Sequence, residues 1–155
     1  MFTGAHRVKV DDKGRLAIPA PFRKQLREGS FVSVSQDNVL AIYPPDLWAA
    51  LGEELRSPLP GPDQRALART LYPLSDPFEP DGQGRISLQP EQRRLAGIET
   101  PSTVVVIGAG PRVEIWPEAR WDSYSADAQG RFTEFADRVI SGHRPQPISP
   151  HFQKR

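Results

Sequence analysis

Polar and apolar positions alternate over residues 5–11, where Val8 and Val10 stand between Arg7, Lys9 and Asp11. A period of two marks a strand with one face in water, so a half-buried strand is predicted there. Asp11, Asp12, Lys13 and Gly14 supply turn chemistry, and Arg15, Leu16, Ala17 and Ile18 resume the alternation until Pro19. The two strands read as a candidate hairpin, but strands this short are marginal as an isolated pair and must complete a larger sheet. Pro19 and Pro21 admit a helix near residue 20, with Phe22 and Leu26 as its apolar side and Gly29 as its end. Two more strands are predicted at 31–34 and 39–43, around Gln36, Asp37 and Asn38. After Pro44 and Pro45, leucines recur at 47, 51 and 55 beside Trp48, predicting a helix to about residue 56.

A breaker-rich link follows at 57–62, then a short helix over 63–71 with Leu67 and Leu71 on one side. Pro73, Pro77 and Pro80 predict irregular or edge structure over 73–80. The order then repeats. A small strand over 85–88 leads to a brief helix after Pro90, ended by Gly97. The run Thr103, Val104, Val105, Val106, Ile107 is continuously β-branched, which predicts a central strand buried on both faces. Gly108 to Pro111 turns it back into a strand over 112–116, and helices are expected over 118–128 and 131–140.

The repetition is literal. Asp11-x-x-Gly14-Arg15-Leu16 returns seventy residues later as Asp81-x-x-Gly84-Arg85-Ile86, and Ile42, Tyr43, Pro44 and Trp48 return as Ile115, Trp116, Pro117 and Trp121. A duplicated unit accounts for both echoes. The chain is therefore divided into a first half (1–56), an inter-repeat helix and linker (57–80), a second half (81–140) and a flexible tail (141–155), within an α+β fold. The tail carries His143 and His151.

Length and composition narrow the function. The 155 residues, 37% of them hydrophobic, suit one domain or two half-sized units sharing a core. No apolar run approaches the ~20 residues of a membrane span, and no secretory stretch opens the chain, so no membrane partner is expected. With no cysteine, disulfides and thiolate chemistry are excluded, which fits a reducing cytoplasm. The net charge of +1 conceals an asymmetry: residues 1–30 balance to +4, and residues 31–80 to −4. Arg7, Lys9, Lys13 and Arg15 belong to that basic first module, whose charge suits a polyanion.

The repeated turn carries the chemistry. Its glycine permits a positive φ, and its aspartate can accept backbone hydrogen bonds while orienting the arginine four residues further on. An oriented guanidinium can grip a phosphate or read guanine in the major groove. Asp11, Lys13, Arg15, Asp81 and Arg85 are the candidates on this ground. Taken alone, the unit fits turn stabilisation, DNA binding, RNA binding or a protein surface. An enzyme is not expected: His6, His143 and His151 lack metal-ligand spacing, and neither a phosphate-binding loop with its lysine nor a nucleophile elbow occurs. Trp48, Trp116 and Trp121 read as core or interface anchors, and no cofactor is expected.

The combination Met1-Phe2-x-Gly4, Val8-x-Val10-Asp11-x-Lys13-Gly14-Arg15-Leu16-x-Ile18-Pro19-x-x-Phe22-Arg23, with Tyr43-Pro44 and Trp48, closely resembles the bacterial MraZ transcriptional-regulator family. The second half adds Asp81-x-x-Gly84-Arg85-Ile86, Pro90-x-x-Arg93 and Glu114-Ile115-Trp116 with Trp121. The resemblance implies a duplicated AbrB-like swapped-hairpin β-barrel with flanking helices, assembled into an octameric or dodecameric ring. It also implies a cytoplasmic, nucleoid-associated regulator that binds short direct repeats in the promoter of a cell-division and cell-wall operon. The Asp-x-x-x-Arg pairs, here Asp11 with Arg15 and Asp81 with Arg85, would face the double-stranded DNA. The chain departs from the family pattern at Gln89 and Gln92, where a proline and an apolar residue are common, and in the proline-stiffened inter-repeat link.

Overall fold

The first alternating stretch forms β1 (Ala5–Val10), which the motif turn joins to β2 (Arg15–Ala17) and the short α1 (Ala20–Arg23). The hairpin β3 (Phe31–Val34) and β4 (Leu40–Tyr43) precedes α2 (Pro45–Glu54) and α3 (Pro62–Leu71). The edge fragment β5 (Asp76–Pro77) leads to β6 (Arg85–Ser87) and α4 (Pro90–Ala96). The hairpin β7 (Ser102–Gly108) and β8 (Val113–Pro117) is followed by α5 (Glu118–Gly130) and α6 (Phe132–Gly142). This computed structural model describes residues 1–142; the expected tail lies outside the described residues from His143 onward. The chain forms two compact units, Met1–Trp121 and Asp122–Arg155.

Strand pairing departs from the simplest reading. β1 and β2 share one closing bond, from Asp11 N–H to Arg15 C=O, and then part company. Among the described residues, six antiparallel strands form one sheet in the order β1-β7-β8-β4-β3-β5, and β2 pairs with β6 in a separate two-stranded ribbon. The candidate hairpin over residues 5–18 is thus replaced by pairing across the two halves. The reason is length. Three-residue β2 cannot sustain a hairpin, whereas six residues of β1 find full register along β7, from Ala5 opposite Ile107 to Val10 opposite Ser102. At the far edge of the sheet β5, from the inter-repeat segment, is laid along β3. Pro77 is tolerated there because β5 is an edge.

β7 is central, flanked by β1 and β8, as its β-branched run predicts. Val104 and Val106 enter the main core with Val10, Leu16, Ile18, Phe22, Ile42, Ile86 and Ile115. Val105 and Ile107 face the other way and pack with Val39, Trp116 and Trp121. The aromatic echo is spatial as well: Trp48 lies 5.3 Å from Tyr43, and Trp121 lies 5.3 Å from Trp116. Trp48 also stacks on Phe31, and Trp116 is buried, so the tryptophans anchor the body of the first unit.

Two local expectations are revised. α1 stops at Arg23 instead of running to Gly29, because the chain tightens into turns such as Ser30 N–H to Arg27 C=O. Gln92 does not merely forfeit an apolar contact. It is fully buried, where its counterpart Phe22 is 1% exposed, and its polar atoms are satisfied. Its Oε1 accepts the Gln89 N–H and its Nε2 donates to Leu74 C=O, while Gln89 Nε2 donates to Asp76 Oδ2. The two glutamines complete a capping box at the start of α4 and tie that helix to Leu74 and to Asp76 of β5. The amide side chains therefore substitute for the missing ring and apolar group by hydrogen bonding.

In the second unit, Arg131 pairs with Asp127 and Glu134 and covers the Phe135 ring, and Arg138 also reaches Glu134. Phe132, Val139 and Ile140 lie exposed along α6. None of the described helices is long and apolar enough to cross a membrane.

Candidate nucleic-acid interface

Each motif turn is closed by its own aspartate. Asp11 Oδ1 accepts the backbone N–H groups of Lys13 and Arg15, both at 2.9 Å, and its Oδ2 accepts Arg15 Nε at 2.8 Å. Asp81 does the same work for Gln83 N–H, Arg85 N–H and Arg85 Nε, at 2.8, 3.0 and 3.1 Å. Gly14 and Gly84, at φ +81° and +75°, close the turns by donating to the aspartate carbonyls. A Cβ would strain that backbone, which is why the motif needs glycine.

The ribbon aims the arginines. Leu16 and Ile86 face each other in register and are buried, so Arg15, Ala17, Arg85 and Ser87 take the opposite, outward face. Arg15 stands opposite Ser87 and Arg85 opposite Ala17, which makes the two arginines diagonal neighbours, about 7–8 Å apart at the backbone. Their side chains are 34% and 30% exposed. Among the described residues no protein acceptor takes either pair of Nη groups. The aspartate holds the Nε edge, and the fork is left with donors pointing away from it.

The two turns differ in their surroundings. Lys13 is exposed beside Arg15, whereas Gln83 holds that place beside Arg85. Asp76, Glu79 and Asp81 line a shallow cavity of about 240 Å³ that Arg85 shares. Carboxylates there lower the potential that a phosphate would meet. Of the remaining candidates, Lys9 is exposed on β1 two residues before the first turn, on the strand face away from Val8 and Val10. Arg7 is on that same face and forms an ion pair with Glu118 at 2.8 Å. The structure thus brings together Asp11, Lys13, Arg15, Asp81 and Arg85, and sets Arg7 apart from them. A cavity of about 540 Å³, lined by Tyr43, Leu47, Leu51 and Leu67 among others, shares no residue with the turns.

Two residues of the site escape the sequence reading. The Arg93 guanidinium lies on Gly14, and that of Arg23 lies on Gly84, each reaching across to the other half. The signal was present in the spacing, since each arginine follows its own motif glycine by nine residues.

The hydrogen bonds hold both carboxyls below the ordinary aspartate value. For Asp11 the Arg15 backbone N–H is the largest cause, opposed by desolvation and aided by the Arg15 side chain and the Lys13 N–H. For Asp81 the backbone N–H groups of Arg85 and Gln83 lead. A depressed folded-state pKa means that the stabilisation is present above the ordinary value of 3.8 and is lost as pH falls through the lowered one. In an NMR titration the Asp11 and Asp81 side-chain carboxyls should therefore titrate below an aspartate in an unfolded peptide. Loss of amide protection at Arg15 and Arg85 should track the same midpoints, and a midpoint at the peptide value would refute the closed turn.

The fold and site define a mixed α+β protein that presents two matched, aspartate-braced arginines on one outward ribbon. The chain belongs to the MraZ family: a family model described as "MraZ protein, putative antitoxin-like" matches residues 1–70 and 76–141. It is 38% identical over 143 residues to a protein named transcriptional regulator MraZ from Parafrankia sp. (strain EAN1pec), covering 92% of this chain and 99% of that one. A protein of the same name from Corynebacterium glutamicum (strain R) matches to the same extent. One from Mycobacterium ulcerans (strain Agy99) is 39% identical over 141 residues, covering 90% and 97%.

Proposed function

We propose that this protein is a transcriptional regulator that binds double-stranded promoter DNA in a sequence-specific way, without catalysis or a cofactor. The observation that carries the reading is the pair of half-exposed arginine forks, fixed by their aspartates and directed to one face of the β2–β6 ribbon. The names of the relatives support regulation of transcription. The pairing of β1 with β7, β2 with β6 and β4 with β8, between residues 1–56 and 81–140 joined by 57–80, supports a duplicated swapped-hairpin barrel as the scaffold. In this reading the protein acts in the cytoplasm, on the nucleoid. It recognises short direct repeats upstream of its own gene, in a cell-division and cell-wall operon, and an octameric or dodecameric ring sets successive ribbons against successive repeats. Weak single contacts then add through raised local concentration.

The test is a salt-resolved binding titration against the DNA upstream of the gene, with intact and scrambled repeats and a length-matched RNA competitor. Expected are a clear preference for intact repeats, poor competition by RNA, and a linear fall of log affinity with log salt, about 0.9 per phosphate neutralised. Equal binding to scrambled DNA would return the arginines to the role of turn braces. Mass measurement of the assembly checks the ring.

A further inference from the structure

We propose that Arg23 and Arg93 are positioning residues that act across the two halves, each holding the motif turn of the opposite half in the shape that aims its arginine. The inference rests on the DNA-binding reading above for its functional consequence, but its structural core is independent of it.

The geometry is reciprocal. A Cβ placed on Gly14 would lie 2.7 Å from Arg93 Nε and 3.1 Å from its Cζ, and one placed on Gly84 would lie 2.7 Å from Arg23 Nη1 and 2.9 Å from its Cζ. The planar guanidinium therefore rests on the bare glycine, so close that a Cβ there would push it away. Each arginine is held from its own half: Arg23 Nη1 donates to Ile18 C=O at 2.6 Å, and Arg93 Nε donates to Leu88 C=O at 3.3 Å. The same two residues bind the opposite turn from the ribbon side, Ile18 N–H donating to Gly84 C=O and Leu88 N–H to Gly14 C=O. Each glycine is thus gripped by two groups of the other half, a backbone N–H and a guanidinium.

Both glycines have a positive φ, a conformation that a loose turn would leave readily. Gly14 immediately precedes Arg15, and Gly84 immediately precedes Arg85. A shift of the glycine peptide moves the arginine N–H off its aspartate, and with it the fork. Arg93 therefore governs the turn that carries Arg15, and Arg23 governs the turn that carries Arg85. The glycine serves twice, once for its backbone angle and once as the seat of the opposing guanidinium.

The experiment has two arms on the full chain. In the first, native-state hydrogen exchange is compared for peptides covering residues 11–16 and 81–86 in the wild type, Arg93→Ala and Arg93→Gln. Faster exchange at 11–16 with 81–86 unchanged is expected in both variants. Loosening confined to 81–86, or equal at both turns, overturns the proposal, whatever the protein binds. In the second, affinity for the duplex upstream of the gene is measured for Arg93→Ala alone and combined with Arg15→Ala or Arg85→Ala.

Arg93→Ala should be non-additive with Arg15→Ala by roughly tenfold and additive with Arg85→Ala. Arg93→Lys should not rescue, since lysine keeps the charge but has no flat fork to lie on the glycine. The salt dependence should keep its slope, because no phosphate contact is lost. A slope reduced by about one would make Arg93 a direct phosphate ligand and overturn the positioning role. If the wild type shows no preference for this duplex, the DNA reading falls and the exchange arm alone decides the clamp.

Discussion

Replacing Arg15 by alanine is expected to weaken binding to the repeat-bearing promoter duplex by roughly 5- to 150-fold, as follows from about 1–3 kcal/mol for each oriented arginine contact. The loss is multiplied where several subunits of one assembly engage the same DNA. Three features of the first turn set this expectation. The fork is braced through Nε by Asp11 at 2.8 Å, its Nη groups are directed outward, and Lys13 stands beside it. Arg85→Ala should cost clearly less, since Gln83 replaces the lysine, and Asp76 and Glu79 crowd the same cavity with negative charge. Comparing both variants on intact and scrambled repeats then separates base reading from phosphate holding. Base reading predicts that the preference for intact repeats collapses with the affinity, and phosphate holding predicts a uniform drop. Equal affinity of the wild type and both variants would remove the arginines from the interface altogether.

Trp116→Ala should do the opposite: destabilise the fold severely and leave the sequence preference of the remaining folded protein unchanged. Trp116 is 4% exposed and packs edge-on against Trp121 at 5.3 Å, with the Arg120 guanidinium 5.0 Å from its ring centre. Its Nε1 donates to Glu114 Oε1, a side chain that is itself nearly buried and paired with Arg112. Truncation empties that site and strips one partner from a buried carboxylate. The expected cost is about 3–5 kcal/mol, with a melting shift of about 2–4 °C per kcal/mol for a chain of this size. A scan showing less than half that cost would mean that the small second core carries little of the stability. Altered repeat preference would mean that this core communicates with the ribbon.

The elements were largely legible because their causes are local. The alternation of Val8 and Val10 with charged residues, the β-branched run at 103–107 and the leucines of α2 each report which face is buried, wherever the partner lies. The braced turn was legible for the same reason, since Asp11 and Arg15 are four residues apart and meet in the backbone shape that Gly14 permits. Gln89 and Gln92 were legible only as departures. Their worth depends on Asp76 and Leu74, which approach them only after folding.

Sequence alone therefore determined the repeat, the position and facing of most strands and helices, the chemistry of the two turns and the membership of the family. Tertiary structure alone decided which strand pairs with which, that Arg15 and Arg85 share one face, and that Arg23 and Arg93 serve the half to which they do not belong. Alternation states that a face must be covered but not by what. The choice among distant partners falls to the pairing that buries the most apolar surface while leaving no backbone group unbonded, and the whole chain must be in place before that choice exists.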